Sequence, residues 1–185
     1  MEKDIKILIE NYDNKLKILI GKTISKVRYF EINDGEPAWD KIEFHSIDYG
    51  VELITSDNQS FYFIWDKQFT AYDLKFQIGS IRTEFSKEDD SAFEFNVSDN
   101  EKWIELIGQK IIGIKSNWSF FRSSRMKKKN FYPQDVEIKF ANKNSIYISA
   151  MEISREKTMT MKDHITLVFD ENTAKKYNIG LKNVV

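Results

Sequence analysis

Five cationic side chains, Arg122, Arg125, Lys127, Lys128 and Lys129, fall within eight residues, and Trp118, Phe120, Phe121, Phe131 and Tyr132 flank them. Basic groups interleaved with aromatics can meet phosphates and stack on bases, or dock against an acidic protein surface. A plain solvated loop, with the flanking aromatics in the core, is the third reading. The chain as a whole carries a net charge of −1, which gives no global attraction to a polyanion. A protein partner therefore ranks above single-stranded nucleic acid, and Arg122, Arg125, Lys127, Lys128, Lys129 and Tyr132 form the first candidate contact set. The second set is acidic: Glu84, Glu88, Asp89, Asp90 and Glu94, continuing to Asp99 and Glu101. It would meet a basic partner, or keep a connector solvated. Glu88, Asp89 and Asp90 could hold a hard cation, but the alternating oxygen ligands of an EF-hand loop are missing. Acids at a helix N-terminus explain them more simply.

Catalytic constellations are absent from the sequence. The two histidines, His45 and His164, each sit in a strand-like segment without a partner at metal-ligand spacing. There is no cysteine, so thiol nucleophiles, thiolate metal sites and disulfides are excluded. No phosphate-binding glycine loop, nucleophile elbow or His-Glu-x-x-His helix occurs. The expectation is a protein-binding module with no catalytic residue, metal or cofactor. An enzyme assembled from dispersed residues is the weaker alternative, as is single-strand binding through residues 118–132. The N-terminal Met1-Glu2-Lys3-Asp4 lacks the basic start of a signal peptide, and no apolar run reaches the length of a membrane span. The chain reads as cytoplasmic, with no membrane contact.

The elements that carry these residues come twice. Val51–Ile64 aligns without a gap on Val136–Ser149, and Leu19-Ile20-Gly21-Lys22-Thr23-Ile24 echoes Leu106-Ile107-Gly108-Gln109-Lys110-Ile111. Ile5, Leu8, Ile9, Tyr12, Leu16, Leu19 and Ile20 make one stripe of a helix over 3–20, closed by Gly21. A shorter helix, capped by Ser98 with Glu101 reaching back, carries Trp103, Ile104, Leu106 and Ile107 and ends at Gly108. Strand patterns follow at Lys22–Ile32, around Ile24, Val27 and Tyr29, and at Lys110–Phe121, around Ile112, Ile114 and Trp118. Each then enters a polar excursion, closed by Pro37 and Pro133. The first excursion, 31–36, is acidic, whereas the second is basic. Asp40 and Asp135 follow the two prolines, and alternating strands begin there. The aligned blocks read as hairpins, with Glu52 and Tyr62, and Glu137 and Tyr147, as cross-strand polar pairs. Final strands at Ile78–Phe85 and Ile165–Phe169 close the units, each followed by a helix-initiating stretch at 86–89 and 170–173. The fold class is α+β: two helix-plus-antiparallel-meander units, 1–95 and 96–185, packed as one pseudo-symmetric, β-rich domain.

The Leu-Ile-Gly-Lys-x-Ile-x-x-Val pattern of Leu19–Val27, its echo at Leu106–Ile114 and the two hairpins resemble small bacterial immunity proteins of polymorphic or contact-dependent toxin systems. The resemblance implies a protein that occludes a cognate toxin domain through charge-complementary contacts. It transfers no site residues, because that group shares no active site.

Overall fold

The computed structural model describes residues 2–32, 39–70, 72–85, 92–122, 129–154 and 157–180, without the side chains of 2–4 and 161. Arg125, Lys127, Lys128, Glu88, Asp89 and Asp90, the segment 33–37 and the whole stretch 86–89 lie outside the described residues.

The N-terminal stripe forms α1 (Glu2–Leu16), tightened into a 3-10 turn over Lys17–Leu19. Ile5, Tyr12, Leu16 and Leu19 are buried, whereas Leu8 and Ile20 are 43% and 45% exposed. Leu8 lies at the edge of the stripe, about 60° from its centre at 100° per residue. Ile20 follows the 3-10 turn in extended backbone. Gly21, at φ +87°, ends this segment, and Gly108, at φ +78°, ends the second.

Ten strands follow in the described residues: β1 (Ile24–Glu31), β2 (Phe44–Ile47), β3 (Gly50–Thr55), β4 (Ser60–Asp66), β5 (Asp73–Ile78), β6 (Phe93–Asn96), β7 (Ile111–Arg122), β8 (Lys129–Phe140), β9 (Ser145–Ser154) and β10 (Lys157–Val168). They form two antiparallel sheets, ordered β5-β4-β3-β1-β6 and β2-β10-β9-β8-β7. Each sheet contains a four-stranded meander, and each meander gains one outside strand. The excursion after β1 crosses to the other sheet and pairs β2 with β10, so a strand from residues 1–95 completes the sheet of residues 96–185. β6, spanning the 95/96 boundary, returns to the edge of β1.

The two meanders share several local features. The hairpin turns place Asn58 and Lys143 at φ 59° and 70°. Glu52 faces Tyr62 and Glu137 faces Tyr147. Register shifts fall at Ile24/Lys26 in β1 and at Ile111/Gly113 in β7. The glycine segments exchange reciprocal bonds: Gly21 N–H donates to Ile111 C=O and Gly108 N–H to Ile24 C=O, both at 2.8 Å. The bulges also explain the imperfect alternation of both strands. In β7 the bulge turns Ile112 outward, 56% exposed, and buries Ile111 instead.

The sheets pack face to face, with Val27, Leu53, Phe61, Phe63, Phe76, Ile138 and Ile148 in the shared core. α1 closes the side where β5 and β7 are the edges. Tyr12 O–H donates to Leu74 C=O in β5 at 2.7 Å, and the Ser116 hydroxyl of β7 donates to the Asp13 carboxylate. Smaller apolar clusters seal the outer faces: Phe30, Tyr62, Ile64 and Ile81 on one, and Tyr147, Met151, Ala174 and Tyr177 on the other.

Four expected elements differ. Gly79, at φ +116°, turns the chain out of β5, so Ile81–Glu84 is a 3-10 turn capped by Ser80 rather than strand. The second closing strand is longer than Ile165–Phe169 and begins at Lys157. The second helix, α2 (Glu101–Ile104), is a single turn capped by Asn100. Ser98 instead accepts the Val27 N–H at 3.0 Å and so ties β1 to the β6 segment. Ile104, on its expected apolar side, is 61% exposed. Pro133 lies inside β8, not in a loop. The stretch 170–173 does start a helix, α3 (Glu171–Lys176), with Asp170 as its cap. Among the described residues no helix is long and apolar enough to cross a membrane.

Candidate partner interface

β7 and β8 pair along their whole length, out to Arg122 opposite Lys129. β9 and β10 likewise run out to Ser154 opposite Lys157. Between these two hairpins the ladder stops earlier, at Asp135 opposite Ser149. Pro133 has no N–H to give a ladder, and β8 bulges next to it, with Gln134 the extra residue between Asp135 opposite Asn117 and Pro133 opposite Trp118. The Gln134 side chain takes over the contact, donating to Ala150 C=O at 3.0 Å. In β10, residues 161–164 have no partner between Thr160 and Ile165. Beyond these breaks each hairpin continues as a separate arm.

The β7–β8 arm carries Arg122 and Lys129 side by side at its last described pair. Its aromatics are turned inward: Trp118 meets Tyr12 and Phe69 in the shared core, and Phe131 packs against the same core. Trp118 and Tyr132 are 1% and 2% exposed. Phe120 packs on Phe131 at 5.9 Å between ring centroids, and Phe121 on Tyr132 at 6.4 Å. Lys129 Nζ lies 4.3 Å from the centroid of Phe120, a cation–π contact that steadies the ammonium and leaves its charge in place. Tyr132, expected at the contact surface, instead supports the arm from within. Arg122 is exposed and has no ion pair among the described residues. Residues 106–134 contain seven Lys or Arg and no Asp or Glu. That longer acid-free run, beyond the cluster of five, is the sequence signal that marks both the arm and all of β7.

The acidic set is placed differently. Glu84 accepts from the Tyr62 hydroxyl and pairs with Lys75 at 3.1 Å. Glu94 pairs with Arg28 at 3.1 Å and with Arg82 at 2.9 Å. Both carboxylates are thus engaged in holding the 3-10 turn and β6 against the outer face of their sheet. Arg28 also lies 3.7 Å from Glu52, which is 1% exposed. The equivalent Glu137 accepts from Tyr147 at 3.3 Å and pairs with Lys139 at 3.2 Å. The repeated Glu–Tyr pairs are therefore cross-strand contacts under a partial cover.

His45 is fully buried among Tyr29, Trp39 and Phe169. Its Nδ1 is 2.6 Å from the Tyr29 hydroxyl, which accepts the Trp103 indole N–H. Nε2 faces Asp40 at 3.3 Å, without forming a hydrogen bond. Burial, reinforced by the Lys102 charge and opposed by Asp40, holds the imidazole down to about 4, so it is neutral near pH 7. This chain of rings ties β1, β2 and α2 together. His164 projects from the β10 bulge, with Nε2 3.1 Å from Asp48. The two residues line an open concavity with Ile32, Trp65 and Asp163. Below it, Glu31 accepts the Asp48 N–H at 3.0 Å, and its other oxygen is buried without a partner. Burial pushes this carboxyl up to about 7, against the pull of the Asp48 N–H. Among the described residues no group of His, Asp and Glu is arranged to hold a metal ion.

No family model, no curated protein and no solved structure matches this chain.

Proposed function

We propose that the protein is a non-catalytic protein-binding module that engages an acidic partner through the β7–β8 arm. In its concrete form it is an immunity-type inhibitor that works in the cytoplasm by occluding a bacterial toxin domain. One observation carries this reading: Arg122 and Lys129 stand together on a hairpin that continues past the end of its ladder with β9, unneutralised by any described carboxylate. Unpaired cations at a hairpin end steer an acidic partner and speed its association. The acidic set supports the same direction, because Glu84 and Glu94 already have internal partners. Contact through Glu84 or Glu94 would first have to break Arg and Lys pairs. Stacking of single-stranded nucleic acid is disfavoured, because Trp118 and Tyr132 are buried and Phe120 and Phe131 pack on each other.

Co-expression with each toxin domain encoded beside its gene tests the reading. One such toxin is expected to lose its growth inhibition, and the variant Arg122→Glu/Lys129→Glu to lose most of that protection while remaining folded by circular dichroism. Full protection by the charge-reversed variant would remove the arm from the interface. Protection against none of the toxins would remove the immunity reading.

A further inference from the structure

We infer that the concavity at His164 is a binding site for a guanidinium group carried on a short apolar stem. The inference goes beyond the arm and does not depend on its partner. The concavity opens at the end of the sandwich where β1 and β4 finish, and both sheets build it. Val27 and Tyr29 point into the shared core, so strand alternation turns Glu31 inward as well. Phe61 and Phe63 do the same for Trp65 in β4. From the facing sheet come Asp163 and His164, in the stretch of β10 that has no partner between Thr160 and Ile165. The two inward side chains also fix the link between β2 and β3. Glu31 accepts the Asp48 N–H at 3.0 Å, and the Trp65 indole N–H donates to Asp48 C=O at 2.7 Å. The Asp48 carboxylate is thereby held 3.1 Å from His164 Nε2. Ile32 completes the apolar wall of this open space of ≈ 460 Å³.

Two acceptors in this frame lack a donor. The second oxygen of Glu31 is buried and unpartnered, on a residue only 7% exposed. His164 Nδ1 is the other. With the ring proton on Nε2, toward Asp48, Nδ1 offers a lone pair, and the Asp163 carboxylate that it faces at 3.5 Å is an acceptor too. Buried acceptors without donors are costly, and a ligand rich in N–H groups removes the cost.

Charge selects the same ligand. Glu31, Asp48 and Asp163 bring carboxylates together against His164 and the charge of Lys41. Among the described residues no set of ligands converges on a metal ion, so the cation that fits is organic. A guanidinium presents its donors in a planar fork, packs on an indole and keeps its charge at any ordinary pH. Its stem would lie on Ile32 and Trp65, with the head reaching Glu31, Asp163 and His164 Nδ1. Free guanidino compounds and arginine side chains share this head.

The test titrates propylguanidinium, and its uncharged isostere propylurea, into the full chain while NMR follows the Trp65 indole and the Asp48 and His164 amides. Propylguanidinium should shift all of these signals with a Kd of roughly 1 mM, and propylurea should bind at least about tenfold more weakly. Burial holds the Glu31 carboxyl up to about 7, and the cation must displace its proton, so affinity should rise about tenfold from pH 6 to pH 8. Asp48, Asp163, His164 and Lys41 are the other charged groups at the site. Glu31→Gln should therefore weaken binding and lose most of the rise, whereas Asp163→Asn should weaken binding and keep the rise. Nα-acetylarginine amide separates the sources. Binding as tight as that of propylguanidinium assigns the site to an arginine side chain, and binding of propylguanidinium alone assigns it to a free guanidino compound. The inference is overturned by the absence of a saturable shift with propylguanidinium, by equal binding of propylurea, or by unchanged affinity and pH profile in Glu31→Gln.

Discussion

Replacing Glu31 by glutamine should change the pH dependence of stability more than any other single substitution near the Asp48 concavity. Glu31 is 7% exposed, with one oxygen bonded to the Asp48 N–H and the other unpartnered. Asp48 repels its charge and Lys41 attracts it, but burial dominates and lifts the carboxyl from 4.5 to about 7. A folded value above the unfolded one means that the native state holds the proton more tightly. This contribution to stability is fully present below pH 4.5 and is lost as pH rises through about 7. The interval of about 2.5 pH units corresponds to roughly 3 kcal/mol. Glutamine keeps an oxygen for the Asp48 N–H and never ionises. Whatever constant cost its amide adds, its stability relative to wild type should improve by about 2–3 kcal/mol between pH 5 and pH 8. In urea, with a slope of about 2 kcal/mol per molar, the gap between midpoints should shift by about 1 M. A gap that stays constant across that pH range would refute the assignment of a buried, reluctantly ionised Glu31.

Other outcomes follow from the same geometry. Tyr29→Phe removes the hydroxyl shared by His45 and Trp103, strands two buried polar atoms and should cost about 2–4 kcal/mol in urea unfolding. A loss below about 0.5 kcal/mol would mean that the hydroxyl bonds neither group well. The His45 imidazole, neutral because burial holds it near 4, should show no NMR titration between pH 5 and 8, and a midpoint near 6.5 would contradict its enclosure. Gly50→Ala places a methyl 2.5 Å from both the Phe63 carbonyl and the Ile64 Cγ2. It should destabilise by about 1–3 kcal/mol, whereas wild-type stability would show that β3 and β4 lie further apart.

Much of the scaffold was legible because it depends on short-range chemistry. The glycines after α1 and α2 adopt the left-handed backbone that their positions implied, and the aligned hairpins keep one register because their apolar residues must share a face. What the sequence did not reveal depends on distant partners. The excursion after β1 supplies β2 to the other sheet, a pairing that no local pattern encodes. The alternation through β1 and β7 was blurred by bulges, which moved Ile112 outward. Pro133 suggested a loop, yet it sits inside β8 where that strand's ladder to β9 has just ended. For the candidate surface, the basic cluster was visible as composition. The place of Arg122 and Lys129 at the last described pair of one hairpin was not, nor was the internal pairing of Glu84 and Glu94, which needs Lys75, Arg28 and Arg82. Tyr132 looked like a contact residue because an aromatic beside cations has the same composition whether it faces solvent or core.

The most direct test of the arm as the partner surface is the association rate with a neutralised toxin domain, measured from about 0.05 to about 0.5 M salt. The native chain should associate fast at low salt and slow steeply as salt rises, while Arg122→Glu/Lys129→Glu should start slow and lose most of that dependence. Equal rates and equal salt slopes for the two proteins would contradict a partner surface built on the β7–β8 arm.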